Sequence, residues 1–370
     1  MSNKLKYDQI LPFGDDLRNL LNRTIISDAD LNFILKNKGI YTSSNSREYT
    51  VPVFSSLIIS PSEFDVLKER QKTKEDKRKQ RSGTISCNIQ GTSLIEILPK
   101  INLEDIVDTR YMNYEFKNKK PNFIKISNNH VKLEYVIHRD HGNQSWFEKE
   151  KTFTASLEIK LENGGLELTT IGTHTANEAE SINNKLSNFI IKDLKSNNYI
   201  EKDAQIQKVT MKGLDNNNEL IMKFFLNLTT VDIAGFLNYD TLGSVYIEID
   251  NSKSLPKDME WIESKIEKLK FDGKNIDKIK FIENNKYHQY LKCWSMISKY
   301  KFNDIKGIGY CRIKFEFQNI KDKEFEIKIE NLVLEDKTKD KRDIEKYIFN
   351  IVDDFKLKNY KQIIGKNKDV

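Results

Sequence analysis

A change in hydrophobic periodicity near residue 84 places the strongest constraint on the fold of this 370-residue chain. Before that point, apolar residues recur every three or four positions, which is typical of helices that pack by one face. From Thr84 onward, several segments alternate apolar and polar residues, which is typical of strands with one buried face. The sequence therefore predicts an α+β protein, in which a small helical N-terminal module precedes mainly antiparallel sheets with packed helices.

The clearest alternation lies in His130–His138, and it is followed by Thr152–Leu161 and by a Gly164-Gly165 turn into Leu166–Ile171. Short turns between such runs favour antiparallel hairpins over strand–helix–strand units. Further strands are predicted at residues 84–90, 219–229, 243–250, 310–318 and 324–334. Helices are predicted at residues 175–194, 257–270 and 339–355.

A strand–strand–helix order occurs twice in this prediction, and two of its stretches read alike. Glu158–Asn163 and Glu326–Asn331 differ at a single position. This favours an internal duplication, although antiparallel strands rich in Lys and Glu also look alike by chance, and both interpretations stay open. We predict three domains: 1–83, a helical module with a basic charged helix; 84–200, an α+β domain; and 201–370, a second α+β domain.

The N-terminal module contains a helix that begins after Ser27, a good N-cap, and that stops at Gly39. An extended polar link then leads to a second apolar run at residues 51–59. A third, highly charged helix is predicted from Glu63 to Arg81. The residues that carry this pattern are Leu31, Leu35-Lys36, Lys38-Gly39-Ile40 and Val51–Leu57.

In this arrangement the segment Ile26–Leu57 resembles the helix-extension-helix modules of the SAP and LEM-like group. It departs from them at Pro52, which stands where the second helix should begin, and in a link that lacks glycine. The resemblance implies binding to double-stranded DNA through backbone contacts, or contacts with other proteins. A plain helical N-terminal subdomain is the alternative.

The charge distribution points to the same part of the chain. Val66–Arg81 holds eight basic and three acidic residues, an excess of five, whereas the whole chain has a net charge of +6. Such a segment either binds polyanions by releasing counterions or forms a solvated helix. The candidate nucleic-acid-binding residues are Lys36, Lys38, Arg47, Lys68, Arg70, Lys72, Lys74, Lys77, Arg78, Lys79 and Arg81.

The histidines suggest no metal site. His138 and His141 flank Arg139-Asp140 at a predicted hairpin tip, and two imidazoles three residues apart could share an ion. No second pair of Cys or His with ligand spacing accompanies them, so we predict a solvated tip. The triplet His138-Arg139-Asp140 also occurs in the catalytic loop of protein kinases, but the glycine-rich loop and the Asp-Phe-Gly motif are missing.

The remaining chemical motifs are incomplete. Asp240, Glu248, Asp250 and Lys253 approach the pattern of a metal-dependent nuclease, but the acid–any–lysine triplet is absent. Gly307 and Gly309 lack the third glycine of a dinucleotide-binding loop. The three cysteines are far apart and in apolar surroundings, which predicts reduced, buried thiols. They are Cys87, Cys293 and Cys311.

These observations favour three hypotheses, and we predict no cofactor for any of them. The leading one is a nucleic-acid-associated accessory or sensing subunit of a bacterial multi-protein system such as phage defence, bound weakly to duplex DNA and to partner proteins. The second is an assembly subunit that binds proteins only. The third is a metal-dependent nuclease with an unfamiliar site. With no membrane-spanning run and no signal peptide, we expect a cytoplasmic protein.

Overall fold

The structure is a computed structural model, and it confirms the predicted α+β class. A small group of helices at the N-terminus precedes a large antiparallel sheet with helices packed on it. The residues that the structure describes are 11, 14–21, 28–64, 78–108, 114–140, 150–175, 177–257, 259, 268–317, 324–336 and 338–368.

Together with a helical turn at residues 61–64, three helices of the described residues form the N-terminal module around a small apolar core of their own. They are α1 (Gly14–Leu21), α2 (Asp28–Asn37) and α3 (Arg47–Ser55). Leu21, Leu31 and Phe54, one from each helix, are fully buried against one another. Side chains spaced three or four residues apart lie on one face of a helix, so each helix contributes an apolar stripe to this core.

Within the described residues, twelve strands form one sheet. The strands are β1 (Lys79–Ser86), β2 (Tyr114–Phe116), β3 (Phe123–Ser127), β4 (His130–Asp140), β5 (Glu150–Glu162), β6 (Glu167–His174), β7 (Gln207–Lys208), β8 (Asn238–Ile249), β9 (Lys268–Asp272), β10 (Leu291–Asp304), β11 (Gly307–Phe317) and β12 (Phe325–Leu334). Their order is β2-β4-β5-β6-β1-β12-β11-β10-β8-β9, while β3 pairs with β4 and β7 pairs with β1. Every ladder is antiparallel.

The helices of the body pack on opposite faces of this sheet. They are α4 (Leu94–Ile97), α5 (Leu103–Ile106), α6 (Asn177–Ser196), α7 (Asn218–Thr229), α8 (Lys280–Glu283) and α9 (Lys341–Lys368). Arg81 and Ser82 are neighbours in β1 and therefore point to opposite faces. Arg81 contacts Glu180 of α6, whereas Ser82 contacts Asp353 of α9. The sheet therefore separates two large apolar cores, one under α6 and the other under α7 and α9.

The strand–strand–helix order does occur twice, on either side of β1. The unit β4-β5-β6-α6 lies on one side and β10-β11-β12-α9 on the other. Both β6 and β12 are antiparallel to β1. A rotation of 180° about the axis of β1 therefore brings each unit to the side of the sheet that the other occupies, and brings its helix to the opposite face. Glu158–Asn163 lies in the middle strand of its unit and Glu326–Asn331 in the last, so these two similar stretches do not correspond.

Several boundaries differ from the sequence prediction. Residues 219–229 form helix α7 and not a strand, because Ile221, Phe224, Phe225 and Leu228 share one helical face and the Asn217 side chain caps the first turn. Lys268–Lys270 belongs to strand β9 and not to a helix. The prediction of a charged helix that reaches Arg81 is wrong at its C-terminal end, since Lys79–Arg81 lies in β1.

The strand β1 also crosses the expected boundary between residues 83 and 84. It pairs with β6 over its whole length, from Lys79 opposite His174 to Ser86 opposite Glu167. The two predicted α+β units share this one sheet. In the loop after β5, Gly165 has a φ of 93°, and a Cβ there would lie 1.9 Å from the carbonyl oxygen of Ile89. A glycine is therefore required at position 165 of the predicted turn, because of its positive φ and because there is no space for a side chain.

Candidate functional site

In the N-terminal module, a link with bends at residues 43, 45 and 46 joins helices α2 and α3. Gly39 has a φ of 73° and ends the first of these helices, and the link runs to Ser46, which precedes α3. The second helix begins at Arg47, earlier than expected, so Pro52 lies inside it and not in its first turn. A proline there removes one backbone hydrogen bond of the helix.

Two of the predicted DNA-binding side chains are engaged within the module. The Nε of Arg47 lies 2.9 Å from Asp28 Oδ1, and its Nη1 donates to the Leu21 carbonyl at 3.1 Å. The Nζ of Lys38 donates to the Ile58 carbonyl at 3.1 Å and pairs with Glu63 at 2.9 Å. These contacts tie the three helices and the following turn together. Lys36, by contrast, is exposed.

Glu63 shows the electrostatic consequence of this arrangement. Burial alone would raise the pKa of its carboxyl, but hydrogen bonds from Ser60 and from Lys38 outweigh it and lower the pKa below its ordinary value. A carboxylate held in its charged form strengthens its pairing with a lysine. Lys38 therefore stabilises the module at its C-terminal end.

The predicted basic segment divides into two parts. Lys68, Arg70, Lys72, Lys74 and Lys77 lie outside the described residues. The other three, Arg78, Lys79 and Arg81, lie next to or within β1, where each is paired with an acid of another element. Arg78 pairs with Glu345 at 3.7 Å and Lys79 with Glu326 at 3.7 Å.

Arg81 is the centre of a partly buried group of charges, which we call the Arg81 cluster. It comprises Lys79, Arg81, His174, Glu180, Lys208, Glu324 and Glu326. The guanidinium donates to Glu326 Oε2 through Nε at 3.1 Å and Nη2 at 3.0 Å, and through Nη1 to Glu180. Glu324 is 3.9 Å from Arg81 Nη1 and 2.9 Å from Lys208 Nζ. Such paired contacts offset part of the cost of burying charge.

The register of the sheet explains why these residues meet. Lys79 lies opposite His174 in β6 and opposite Lys328 in β12, so Glu326 comes beside Arg81 on the same face. Glu180 comes from the first turn of α6, directly after β6. The cluster is therefore assembled where four strands (β1, β6, β7 and β12) and one helix meet.

His174 is the most perturbed group of the cluster. It is 1% exposed, and burial, followed by the charges of Arg81 and Lys79, lowers its pKa from 6.5 to about 3. The imidazole is therefore neutral at pH 7. Its Nε2 lies 3.7 Å from Glu180 and 3.6 Å from Glu326, and it has no hydrogen-bond partner. Burial also raises the pKa of Glu180, against the lowering effect of Arg81.

A cavity of about 230 Å³ adjoins the Arg81 cluster. Part of its wall comes from α6, which contributes Asn184 and Ser187, and part from Gly83 and Gly172 of the sheet. Lys208 reaches into the same space and donates to Asn184 Oδ1 at 3.1 Å. Polar groups and a charged rim make this cavity suited to water or to a small polar ligand.

Asp240 and Asp250 of the nuclease-like pattern do not belong to one site. Asp240 near the start of β8 pairs with Lys299 at 3.0 Å and Lys301 at 2.6 Å. Asp250 follows the end of that strand and accepts hydrogen bonds from Asn218 and Ser252. Ten residues of extended chain separate the two carboxylates by roughly 30 Å. They cannot bind the same ion.

The other candidates among the described residues lie in strands or are buried. His138 lies inside β4, opposite Thr152, whereas His141 lies outside the described residues. Cys87, Cys293 and Cys311 are free and buried, as predicted. Gly309 lies in β11, where a Cβ would come 2.1 Å from the carbonyl oxygen of Val333, so this glycine serves sheet packing.

Sequence reasoning missed the Arg81 cluster. Arg81 was assigned to a charged helix, and its partners Glu180 and Glu326 lie 99 and 245 residues further along the chain. The sequence gives no local signal, because a Glu326 that alternates with Phe325 and Ile327 is typical of the exposed face of a strand. A carboxylate that is 0% exposed at such a position requires a buried partner.

Comparison with known proteins gives one match. Residues 15–77 match the family model of the GAPS4b protein N-terminal domain. This region spans less than a fifth of the chain and includes the whole of the segment that resembles helix-extension-helix modules. No curated protein and no solved structure matches the chain significantly. No helix among the described residues is long and apolar enough to cross a lipid bilayer.

Proposed function

We propose that this chain is an accessory subunit of a bacterial anti-phage defence system that acts with partner proteins and associates with nucleic acid. The similarity of residues 15–77 to the GAPS4b N-terminal domain carries the proposal, because it links the N-terminal module to a component of such systems. The module has its own apolar core, which fits a recognition unit attached to a larger body.

Nucleic-acid association is assigned to the exposed Lys36 together with Lys68, Arg70, Lys72, Lys74 and Lys77. Lysine and arginine side chains that neutralise phosphates release condensed counterions, which gives affinity without base recognition. Lys38, Arg47, Arg78, Lys79 and Arg81 support the proposal less, because their partners lie within the chain. About four or five phosphate contacts give a log–log salt slope of about −4.

Fluorescence anisotropy of a labelled DNA duplex at several salt concentrations tests this association. Reversal of Lys72, Lys74 and Lys77 to Glu is expected to abolish binding. A matched control reverses the exposed Lys212, Lys223 and Lys358 to Glu, which changes the net charge equally. Equal loss in both variants indicates a general charge effect, and salt-independent binding contradicts the proposal.

The defence role is tested by infection. Bacteria that carry this gene with its genomic neighbours are infected with phages. The efficiency of phage plating on these cells is compared with that on cells that express the chain without residues 1–77. We expect protection only with the intact chain. Equal plating in both strains would refute a role of the N-terminal module in defence.

A protein-binding module is the second candidate, and one observation favours it. Tyr41, in the link before α3, is 78% exposed, and Ile58, which follows α3, is 92% exposed. Exposed large apolar side chains often mark contact sites for other proteins. Substitution of both by Ser, with Lys72, Lys74 and Lys77 intact, separates the two candidates: loss of protection without loss of DNA binding supports the protein contact.

A further inference from the structure

We propose that His174, Glu180 and Glu326 bind one divalent transition-metal ion of the zinc or manganese class. This site lies in the sheet, far along the chain from the N-terminal module, and does not depend on the proposed function. It uses residues of β6, α6 and β12, so an ion there would join both units of the body.

The distances between the donor atoms match those around a metal ion. One donor atom from each residue can be chosen so that all three lie within 4.8 Å of one another. The Nε2 of His174 is 3.7 Å from Glu180 Oε2 and 3.6 Å from Glu326 Oε2. Tetrahedral zinc with bonds of about 2.1 Å separates its ligand atoms by about 3.4 Å. The two distances from His174 therefore lie within a few tenths of an ångström of this value.

Buried polar atoms that make no hydrogen bond point independently to a ligand. His174 is 1% exposed and Glu326 is 0% exposed, yet His174 Nε2 and Glu326 Oε1 have no hydrogen-bond partner. A buried polar atom without a partner costs free energy comparable to a lost hydrogen bond. One imidazole with two carboxylates suits zinc and manganese.

Arg81 positions both carboxylates for this role. It donates to Glu180 and to Glu326 from one guanidinium, so the two carboxylates are held side by side. Ligating carboxylates commonly accept such outer hydrogen bonds. Lys79, Arg81 and Lys208 already balance the charges of Glu180, Glu324 and Glu326, so we expect micromolar rather than nanomolar affinity. The adjoining cavity of about 230 Å³ can supply a water as fourth ligand.

The test measures zinc and manganese binding to chelator-treated, dialysed full-length protein. Isothermal titration calorimetry gives the stoichiometry, elemental analysis after gel filtration measures retention, and thermal unfolding measures stabilisation. We expect one ion per chain and a raised Tm. His174→Gln and Glu180→Gln each remove one ligand, and each should weaken binding at least about 100-fold, since loss of outer-shell partners alone costs 10- to 100-fold.

His130→Gln is the matched control. His130 also lies beside a carboxylate, 2.9 Å from Glu158, but outside the Arg81 cluster. The His130→Gln variant should bind the ion as tightly as the wild type does. Glu180 is on the partly exposed first turn of α6, so Glu180→Gln keeps the test valid even if His174→Gln fails to fold. Absent binding in the wild type, or binding by both ligand variants that is as tight as that of the wild type, overturns the proposal and leaves the cluster as an ion-pair network.

Discussion

The pair Lys356–Asp353, buried beneath the sheet on the face opposite the Arg81 cluster, offers a sharp prediction about stability. Both side chains are 0% exposed, and Lys356 Nζ lies 2.6 Å from Asp353 Oδ1. Ser82 in β1 completes the group, since its Oγ accepts from Lys356 at 2.7 Å and donates to Asp353 at 3.0 Å. We expect Lys356→Met to leave a buried carboxylate without its cation.

The magnitude follows from the complete burial of both charges. Removing one member of a buried ion pair typically costs about 3–5 kcal/mol, because the remaining charge stays desolvated and uncompensated. The whole free energy of unfolding of a protein is about 5–15 kcal/mol. Lys356→Met or Asp353→Leu alone should therefore remove a large part of it. The double variant removes both charges and should be more stable than either single one.

Urea unfolding followed by circular dichroism measures these differences through the midpoint and slope. Lys361→Met in the same helix is the control. Lys361 pairs with Glu167 but is 46% exposed, so its loss should cost at most about 1 kcal/mol. If Lys356→Met costs no more than Lys361→Met, or if the double variant is as unstable as the sum of its parts, the reasoning from burial is wrong.

Four further predictions concern folding and surface chemistry. Residues 78–370 should fold alone, whereas a fragment that starts at residue 84 should not, because it lacks five residues of β1; circular dichroism and thermal melts compare them. Limited proteolysis should cut between residues 68 and 77. Gly165→Ala should lower the free energy of unfolding by more than Gly164→Ala, since both have positive φ but only Gly165 faces a carbonyl. The three cysteines should react with a thiol reagent only after unfolding at pH 8, because burial raises the pKa of Cys87 to about 11 and of Cys311 to about 12.

Local patterns in the sequence were sufficient to predict most strands. Alternation in His130–His138 and residues 310–318 corresponds to β4 and β11, because one face of each strand packs on an apolar core. The pattern failed in residues 219–229, where apolar residues are so dense that strand and helix both fit. There the cap from Asn217 and the packing of Phe224 and Phe225 favour the helix.

The charges near β1 could not be placed from sequence for a different reason. Lys79 and Arg81 belong to a run of basic residues that, by itself, is typical of a solvated helix. In the structure they lie in strand β1 and form ion pairs with acids that are distant in the chain, Glu180, Glu324 and Glu326. Long-range pairing decides this segment, and a single sequence carries no direct record of such pairing.

The position of the Arg81 cluster follows from a gap between β1 and β12. These strands pair directly only at Lys79 and Gln80, after which their ladder ends. Residues 207–210 fill the gap: β7 pairs with Gly83 and Thr84, while Phe325 N donates to the Val209 carbonyl at 2.9 Å.

At this junction the sheet has few backbone hydrogen bonds to fix the register of its halves. Side-chain contacts replace them, from Arg81 to Glu326 on one face and from Ser82 to Asp353 on the other. A one-residue slip of β1 would move Arg81 to the wrong face, away from Glu326, and would move Ser82 away from Asp353, so these polar groups select a single pairing of the two units.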